Sequence, residues 1–270
     1  MSQSHQVNYD AVAPNYDQRT AGGYLEEIGS ALQNLARQVH SRHILDLGCG
    51  TGRSLYGLAG SLQPNPVCYG LDFSEGMLAQ ARQFDSQYRL VRASAPLPPF
   101  AANRFDLIFC VHAFHHFPHK AQVVRNAYRM LHPGGAFAIV NFDPHQCQNW
   151  YVYDYFDGVL DTDLKRFLSV PEKEAMLHQA GFQQIQSSMV EHISETFVGA
   201  GVFENNYFLE KDSSSQLILL SDEAYQAGLA RMRSAVAAAK AQDKEIVFHT
   251  EIKNWMTYGF KPVAGDLAKK

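Results

Sequence analysis

The sequence predicts a doubly wound α/β fold on a mostly parallel sheet, and three observations carry that prediction. Short apolar runs alternate with stretches of helical periodicity up to residue 141, a glycine-rich turn follows the first run, and an aspartate closes the second. Alternating strands and helices imply βαβ units joined by right-handed crossovers. Ligands of such sheets bind beyond the carboxyl ends of the strands, so chemistry belongs in the loops that follow each strand.

The elements follow in order. Residues 24–39 place Leu25, Ile28, Leu32, Leu35 and Val39 at the three-four spacing of an amphipathic helix. His43-Ile44-Leu45-Asp46-Leu47 reads as a short buried strand, with further strands at 67–71, 89–91, 105–111 and 136–140. Helical stretches at 53–59, 75–84 and 120–130 lie between them. After Asn141 the pattern loosens, and 142–165 is rich in aromatics and acids. A helix over 171–180 ends at Gly181, a residue suited to the position after a helix C-terminus. A strand at 182–190, a helix over 221–241 with Asp222 and Glu223 in its first turn, and a last strand at 252–260 complete the chain.

The expected organisation is a single domain over 1–270. It carries an N-terminal helical cap over 1–40, a lid over 142–170 and an insertion over 195–248 between the last two strands. In that insertion Ala224, Leu229, Met232 and Val236 form one apolar stripe, readable as core or as a homodimer contact.

Bulk properties narrow the function. The 270 residues are 46% hydrophobic and 19% charged, enough apolar material for a core, and the formal net charge is -4. A phosphate backbone needs a dense cationic face, so nucleic acid is excluded as a partner. The polar start lacks a secretory apolar region and no stretch has the length of a bilayer span. Cys49, Cys68, Cys110 and Cys147 show no framework spacing, which suits reduced thiols and a cytoplasmic location.

Asp46-Leu47-Gly48-Cys49-Gly50-Thr51-Gly52 joins the first strand to its helix, and Asp72 ends the second strand twenty residues beyond Gly52. Glycine lets the chain turn sharply and exposes bare backbone to a ligand, while a carboxylate placed like Asp72 can accept both ribose hydroxyls of a nucleoside. Dinucleotide sites favour G-x-G-x-x-G and a pyrophosphate on the helix N-terminus. Here the spacing is G-x-G-x-G, and a buried Asp46 would repel a pyrophosphate. A nicotinamide dehydrogenase is thereby disfavoured, and a cofactor with a cationic tail and a sulfonium is favoured.

These segments resemble the signature motifs of the class I S-adenosylmethionine-dependent methyltransferases. Residues 44–52 look like the first motif, Gly70-Leu71-Asp72-Phe73-Ser74 with Met77-Leu78 like the second, and 105–108 running to His115-His116-Phe117 like the fourth. Leu131-His132-Pro133-Gly134-Gly135 is similar to the turn before the family's fifth strand. The likeness covers about residues 9 to 141 and is nearest to methyltransferases of quinone-biosynthesis and natural-product type.

It implies a seven-stranded Rossmann-like sheet with helical additions over the site, S-adenosylmethionine as cofactor and S-adenosylhomocysteine as product. It further implies Asp46, Gly48, Cys49, Gly50 and Gly52 around the methionine tail, Asp72 on the ribose and Phe73 against the adenine, with Tyr16, Met77, Ala93 and Val111 completing the cofactor set. The family often has an aspartate beside the adenine amino group, where this chain has Ser94.

Methyl transfer is an in-line displacement, so the protein mainly positions the acceptor and excludes water. The expected reaction is transfer to an oxygen or nitrogen of a small-molecule acceptor, the rival being a non-methylating protein that binds the same cofactor. Nucleic-acid amino methylation fails further because Cys110-Val111-His112-Ala113 stands where those enzymes carry an Asn/Asp-Pro-Pro-aromatic tetrad. The run His112-Ala113-Phe114-His115-His116-Phe117-Pro118-His119 admits a general base at His115 or His116, or histidines that merely pack the loop. A metal site is disfavoured because no carboxylate or cysteine stands at ligand spacing.

In Trp150-Tyr151-Val152-Tyr153-Asp154-Tyr155-Phe156 a helix would put Tyr151 and Tyr155 on one face, either an aromatic wall for the acceptor with Tyr151 catalytic or a packing surface. Arsenite methylation, which uses thiols, is disfavoured because the cysteines lack motif spacing.

Overall fold

The computed structural model describes residues 7–20, 26–84, 87–146, 149–204 and 206–263. Tyr24, Leu25 and Cys147 lie outside the described residues. In chain order the helices are α1 Tyr9–Val12, α2 Glu26–Gln38, α3 Arg53–Ala59, α4 Glu75–Phe84, α5 Lys120–Met130, α6 Tyr151–Tyr155, α7 Val159–Arg166, α8 Val170–Gln179, α9 Ser215–Ile218 and α10 Asp222–Ala241. The strands are β1 His43–Leu47, β2 Val67–Asp72, β3 Arg89–Arg92, β4 Phe105–Val111, β5 Leu131–Phe142, β6 Gln183–Val198 and β7 Val247–Phe260. They form one seven-stranded sheet in the order β3-β2-β1-β4-β5-β7-β6. The pairs β1–β2, β1–β4, β2–β3 and β4–β5 are parallel, and β7 runs antiparallel to β5.

The chain divides into two compact units. The larger comprises Tyr9–Phe142, Leu168–Glu191 and Asn254–Lys270, and the smaller Met1–Asn8, Asp143–Phe167 and His192–Lys253. Most of the stretches expected as lid and insertion thus fall in the smaller unit.

In the larger unit the sheet is covered on both faces, as alternating side chains require. Leu107 and Phe109 of β4, with Ala136, Ala138 and Val140 of β5, pack with Ile28, Leu32 and Leu35 of α2 and Leu55 and Leu58 of α3. Ile108, Cys110, Phe137 and Ile139 point the other way, to Val123, Val124 and Ala127 of α5 and Leu177 of α8. Each βα connection therefore delivers its loop to the carboxyl edge of the sheet. The α8 entry is held by a capping box, in which Ser169 and Glu172 each satisfy the other's backbone N–H.

The smaller unit has its own core, in which Trp150, Tyr151, Val152 and Phe156 pack with Val202, Leu217, Leu229, Met232 and Phe248. Leu229 and Met232 of the expected stripe are part of this core, with Val236 packed against it.

Three strands extend well beyond the sequence reading. β5 begins at Leu131, because Leu131 pairs with Phe105 before a register shift that precedes Leu107. β6 runs on to Val198 and β7 starts at Val247, so both are longer than their apolar runs.

Candidate active site

The carboxyl ends of β1 to β4 and the segments that follow them carry most of the expected site residues. Asp46, in β1, is 2% exposed. Its Oδ1 has no hydrogen-bond partner among the described residues. Burial, reinforced by the Asp72 charge, holds its carboxyl well above the usual range. Asp72 ends β2; its Oδ2 accepts from Gly50 N at 2.9 Å and its Oδ1 from Ser74 N at 2.9 Å. Burial raises the Asp72 carboxyl as well, against the lowering effect of those amides. Neither carboxylate is ion-paired among the described residues. Two neighbouring carboxylates in a poorly solvated site favour a positively charged ligand.

The glycines have separable roles. Gly48 has φ +78°, and a Cβ there would lie 2.5 Å from Ala113 Cβ. Gly50 has φ +53° and open space where its Cβ would be, so a ligand can approach its backbone. Gly52, at φ +84°, caps α3 and lies against Ala81. Cys49 is buried beside Gly70, and burial pushes its thiol up.

Phe73 is 66% exposed, a large ring left open at the mouth of the β2 turn. Met77 is buried below it in α4, its N–H donating to Ser74 Oγ at 3.1 Å. Ala93 N donates to Asp72 O at 3.0 Å, which sets half-buried Ser94 beyond the end of β3. Val111 ends β4 half-buried.

The first part of the expected N-terminal cap, residues 9–17, fastens these loops together. Asp10 Oδ1 accepts from Ser74 Oγ at 2.6 Å and Gly76 N at 2.8 Å, and these bonds lower its carboxyl. Asp17 Oδ1 accepts from Thr51 Oγ1 at 2.7 Å, with Arg53 Nε at 3.9 Å. Tyr9 OH lies 2.6 Å from His116 Nε2, and the Tyr9 ring meets the half-buried Tyr16 edge-on at 6.3 Å. Tyr9, Asp10 and Asp17 were not expected as site residues. Their partners lie 34 to 107 positions away, so no local pattern announces the contacts.

The histidine run resolves into different environments. His112 is half-buried in a left-handed conformation, φ +50°, and desolvation of its ring lowers its pKa to about 4. His115 is 7% exposed, and the Asn141 amide nitrogen lies 3.3 Å from its Nδ1. With the amide as donor, His115 accepts at Nδ1 and carries its proton on Nε2. The His116 ring lies 3.8 Å from that of His115 and turns Nε2 to the Tyr9 phenol. Among the described residues no three metal-ligating side chains come together.

Tyr151 belongs to the smaller unit. It is 2% exposed, its hydroxyl accepts from Asn206 Nδ2 at 3.0 Å, and burial raises its pKa. Its ring packs edge-on against Phe197 and Phe248, and Tyr155 also meets Phe248, so the shared face of α6 is a packing surface. These surroundings are those of a core phenol, in place of the catalytic role expected for Tyr151.

Residues 45–139 match the family model described as a methyltransferase domain. The chain is 30% identical over 205 residues to a demethylmenaquinone methyltransferase of Lactiplantibacillus plantarum, covering 66% of this chain and 86% of that protein. It is 27% identical over 214 residues to a 2-phytyl-1,4-naphtoquinone methyltransferase of Thermosynechococcus vestitus, covering 67% and 91% of the two chains. Its fold is shared with phosphoethanolamine N-methyltransferase 2 of Haemonchus contortus, solved with S-adenosyl-L-methionine, at a TM-score of 0.61 and 18% identity over 94% of this chain and 57% of that one.

The chain belongs to the class I S-adenosylmethionine-dependent methyltransferases. It is an enzyme of that family, and its cofactor is S-adenosylmethionine. The residues present fit that group, because the unpartnered Asp46 oxygen, the open face of Gly50 and the exposed Phe73 ring suit a cationic, phosphate-free nucleoside.

Proposed function

We propose that this enzyme methylates a planar small molecule of the quinone class, at an atom that gives up a proton to His116. The Tyr9–His116 pair carries the reading, as a titratable ring hydrogen-bonded at 2.6 Å on the loop beyond β4. When bound, S-adenosylmethionine supplies a methyl group activated by positive sulfur. Asp46 and the turn from Gly48 to Gly52, with Cys49, hold its amino-acid end, and Asp72 holds the ribose. Phe73, Met77, Ala93 and Ser94 flank the adenine, while Val111 and Tyr16 close the remaining sides.

His116 donates from Nε2 to the Tyr9 oxygen, which orients the ring, and accepts the acceptor's proton at Nδ1. His115, fixed by Asn141 with its proton on Nε2, serves as the neighbouring donor that keeps the acceptor in line. The quinone class is supported by the names of the sequence relatives, and a hydroxyl oxygen fits the proton-accepting role better than an amine.

The test is formation of S-adenosylhomocysteine by purified enzyme with a naphthoquinol, a catechol and a primary amine in parallel. Turnover with the quinol, lost in His116→Gln, supports the reading. Turnover with the amine alone, or indifference to His116→Gln, overturns it.

A further inference from the structure

We propose that Arg89, Arg104 and the Tyr69 hydroxyl form a binding site for a phosphoryl group at the amino edge of the sheet, across from the cofactor loops. Tyr69 lies in β2 and pairs in register with Arg89 at the start of β3, and Arg104 immediately precedes β4. Arg89 Nη1 donates to the Tyr69 hydroxyl at 2.8 Å, and Arg104 Nη2 donates to the same oxygen. Both guanidinium carbons stand over the Tyr69 ring, at 5.3 and 5.4 Å from its centroid. The ring itself is fixed edge-on by Phe100 and Phe105.

Two like charges have thus been brought to one uncharged oxygen. Among the described residues neither guanidinium is paired with a carboxylate. Asp106, an acid of this edge, is turned to the backbone amides of Arg42 and His43, both at 2.9 Å from its Oδ2. The two arginines are felt at His43, whose pKa is lowered by burial first and then by Arg104, with Asp106 opposing from 4.0 Å and His132 and Arg89 adding smaller lowering effects. Convergent like charges without a counter-ion are unfavourable, and an anion removes the repulsion.

The chemistry selects the anion. A carboxylate offers two oxygens in one plane, whereas a phosphate monoester offers three in a tetrahedral array, enough to meet two guanidinium groups and the phenol at once. The Tyr69 oxygen accepts from both arginines and keeps its own proton, so it supplies a further donor. The shared ligand chemistry is a phosphate monoester, free or as a lipid headgroup.

The test uses the full chain and inorganic phosphate as probe. Calorimetric titration and the phosphate dependence of Tm, against chloride at matched ionic strength, compare wild type with Arg89→Gln, Arg104→Gln and the double variant. The expected result is saturable phosphate binding weakened about tenfold by each single change and lost in the double. Unaltered S-adenosylhomocysteine binding verifies that the variants are folded. Co-sedimentation with vesicles of phosphatidylcholine, with and without phosphatidic acid, separates the sources. Arginine-dependent vesicle binding displaced by phosphate assigns the headgroup, and phosphate binding without vesicle binding assigns a free ester. Phosphate binding that is absent, or equal in wild type and double variant, overturns the proposal, as does a dimer in which a partner carboxylate occupies the pair.

Discussion

The phenol oxygen of Tyr9 stands 2.6 Å from Nε2 of His116, a contact between residues 107 positions apart. It ties the start of the larger unit to the loop beyond β4, and it distinguishes His116 from its neighbour His115. If the pair moves a proton, His116→Gln should lower kcat about a hundredfold and Tyr9→Phe about tenfold, each with little change in cofactor affinity. The double variant should be no worse than His116→Gln alone, as for groups acting as a unit. Steady-state kinetics decide the matter, and additive losses would show that the residues act separately.

Asp46 gives a prediction of opposite signs. Its folded carboxyl titrates above the ordinary value of about 3.9, so between the two values the folded chain holds more protons than the unfolded one. Stability of the free enzyme from this group therefore falls as pH rises through that window, and the cost persists at neutral pH. Asp46→Asn should raise the Tm of the ligand-free protein by a few degrees, about 1 kcal/mol, while weakening S-adenosylhomocysteine binding at least about tenfold. The Tm gain should vanish near pH 3, below both values. A variant that loses both stability and binding would mean that Asp46 is structural.

Gly48 and Gly50 should fail differently. Gly48→Ala forces a methyl group to 2.5 Å from Ala113 at positive φ, and overpacking of that kind costs about 1–3 kcal/mol. Gly50→Ala meets no neighbour, so it should cost about 1 kcal/mol from its φ alone and remain folded. Its loss should appear instead as weaker cofactor binding, about tenfold, because the added methyl fills the approach to the backbone. Denaturant unfolding beside calorimetry distinguishes the two; equal effects on both quantities would refute the distinction.

In the smaller unit, Asp163 is fully buried and accepts from Tyr153 OH at 2.8 Å, Arg166 Nη2 at 2.6 Å and Gln216 Nε2 at 2.9 Å. Asp163→Ala leaves the Arg166 guanidinium, only 17% exposed, without its counter-ion, a loss of about 3–5 kcal/mol. Asp163→Asn should cost less, since it keeps an acceptor. The unfolding midpoint followed by Trp150 fluorescence in a Trp255→Phe background measures both, and equal costs would show that the charge carries the whole effect and a neutral acceptor recovers none of it.

Much of this was legible beforehand where the signal is local. Period and glycine spacing mark β1 to β4, the turn from Gly48 to Gly52, and Asp72 at the end of its strand, because backbone geometry dictates those residue types at those places. What depends on distant partners was not. The capture of Ser74 by Asp10 and of Thr51 by Asp17 joins stretches that share no periodicity. Tyr151 looked available for chemistry because its burial comes from Phe197 and Phe248, on strands whose ends the apolar runs did not mark. The separate core of the smaller unit escaped notice for the same reason, since its members are gathered from 150–159, 202–232 and 248.

The short stretch that carries Tyr9, Asp10 and Asp17 touches the loops after β1, β2 and β4 through single side chains. Its consequence is one of timing. A ligand that steadies the Gly50 turn and the Phe73 turn also steadies the platform on which Tyr9 stands, so occupancy of the nucleoside side readies the proton-accepting side. If the proposed roles hold, the prediction is an ordered reaction in which the nucleoside enters first and its spent form leaves last, which product-inhibition patterns check. Any change that loosens residues 9–17 should register as a slackened order of addition before it registers as a loss of affinity for either partner.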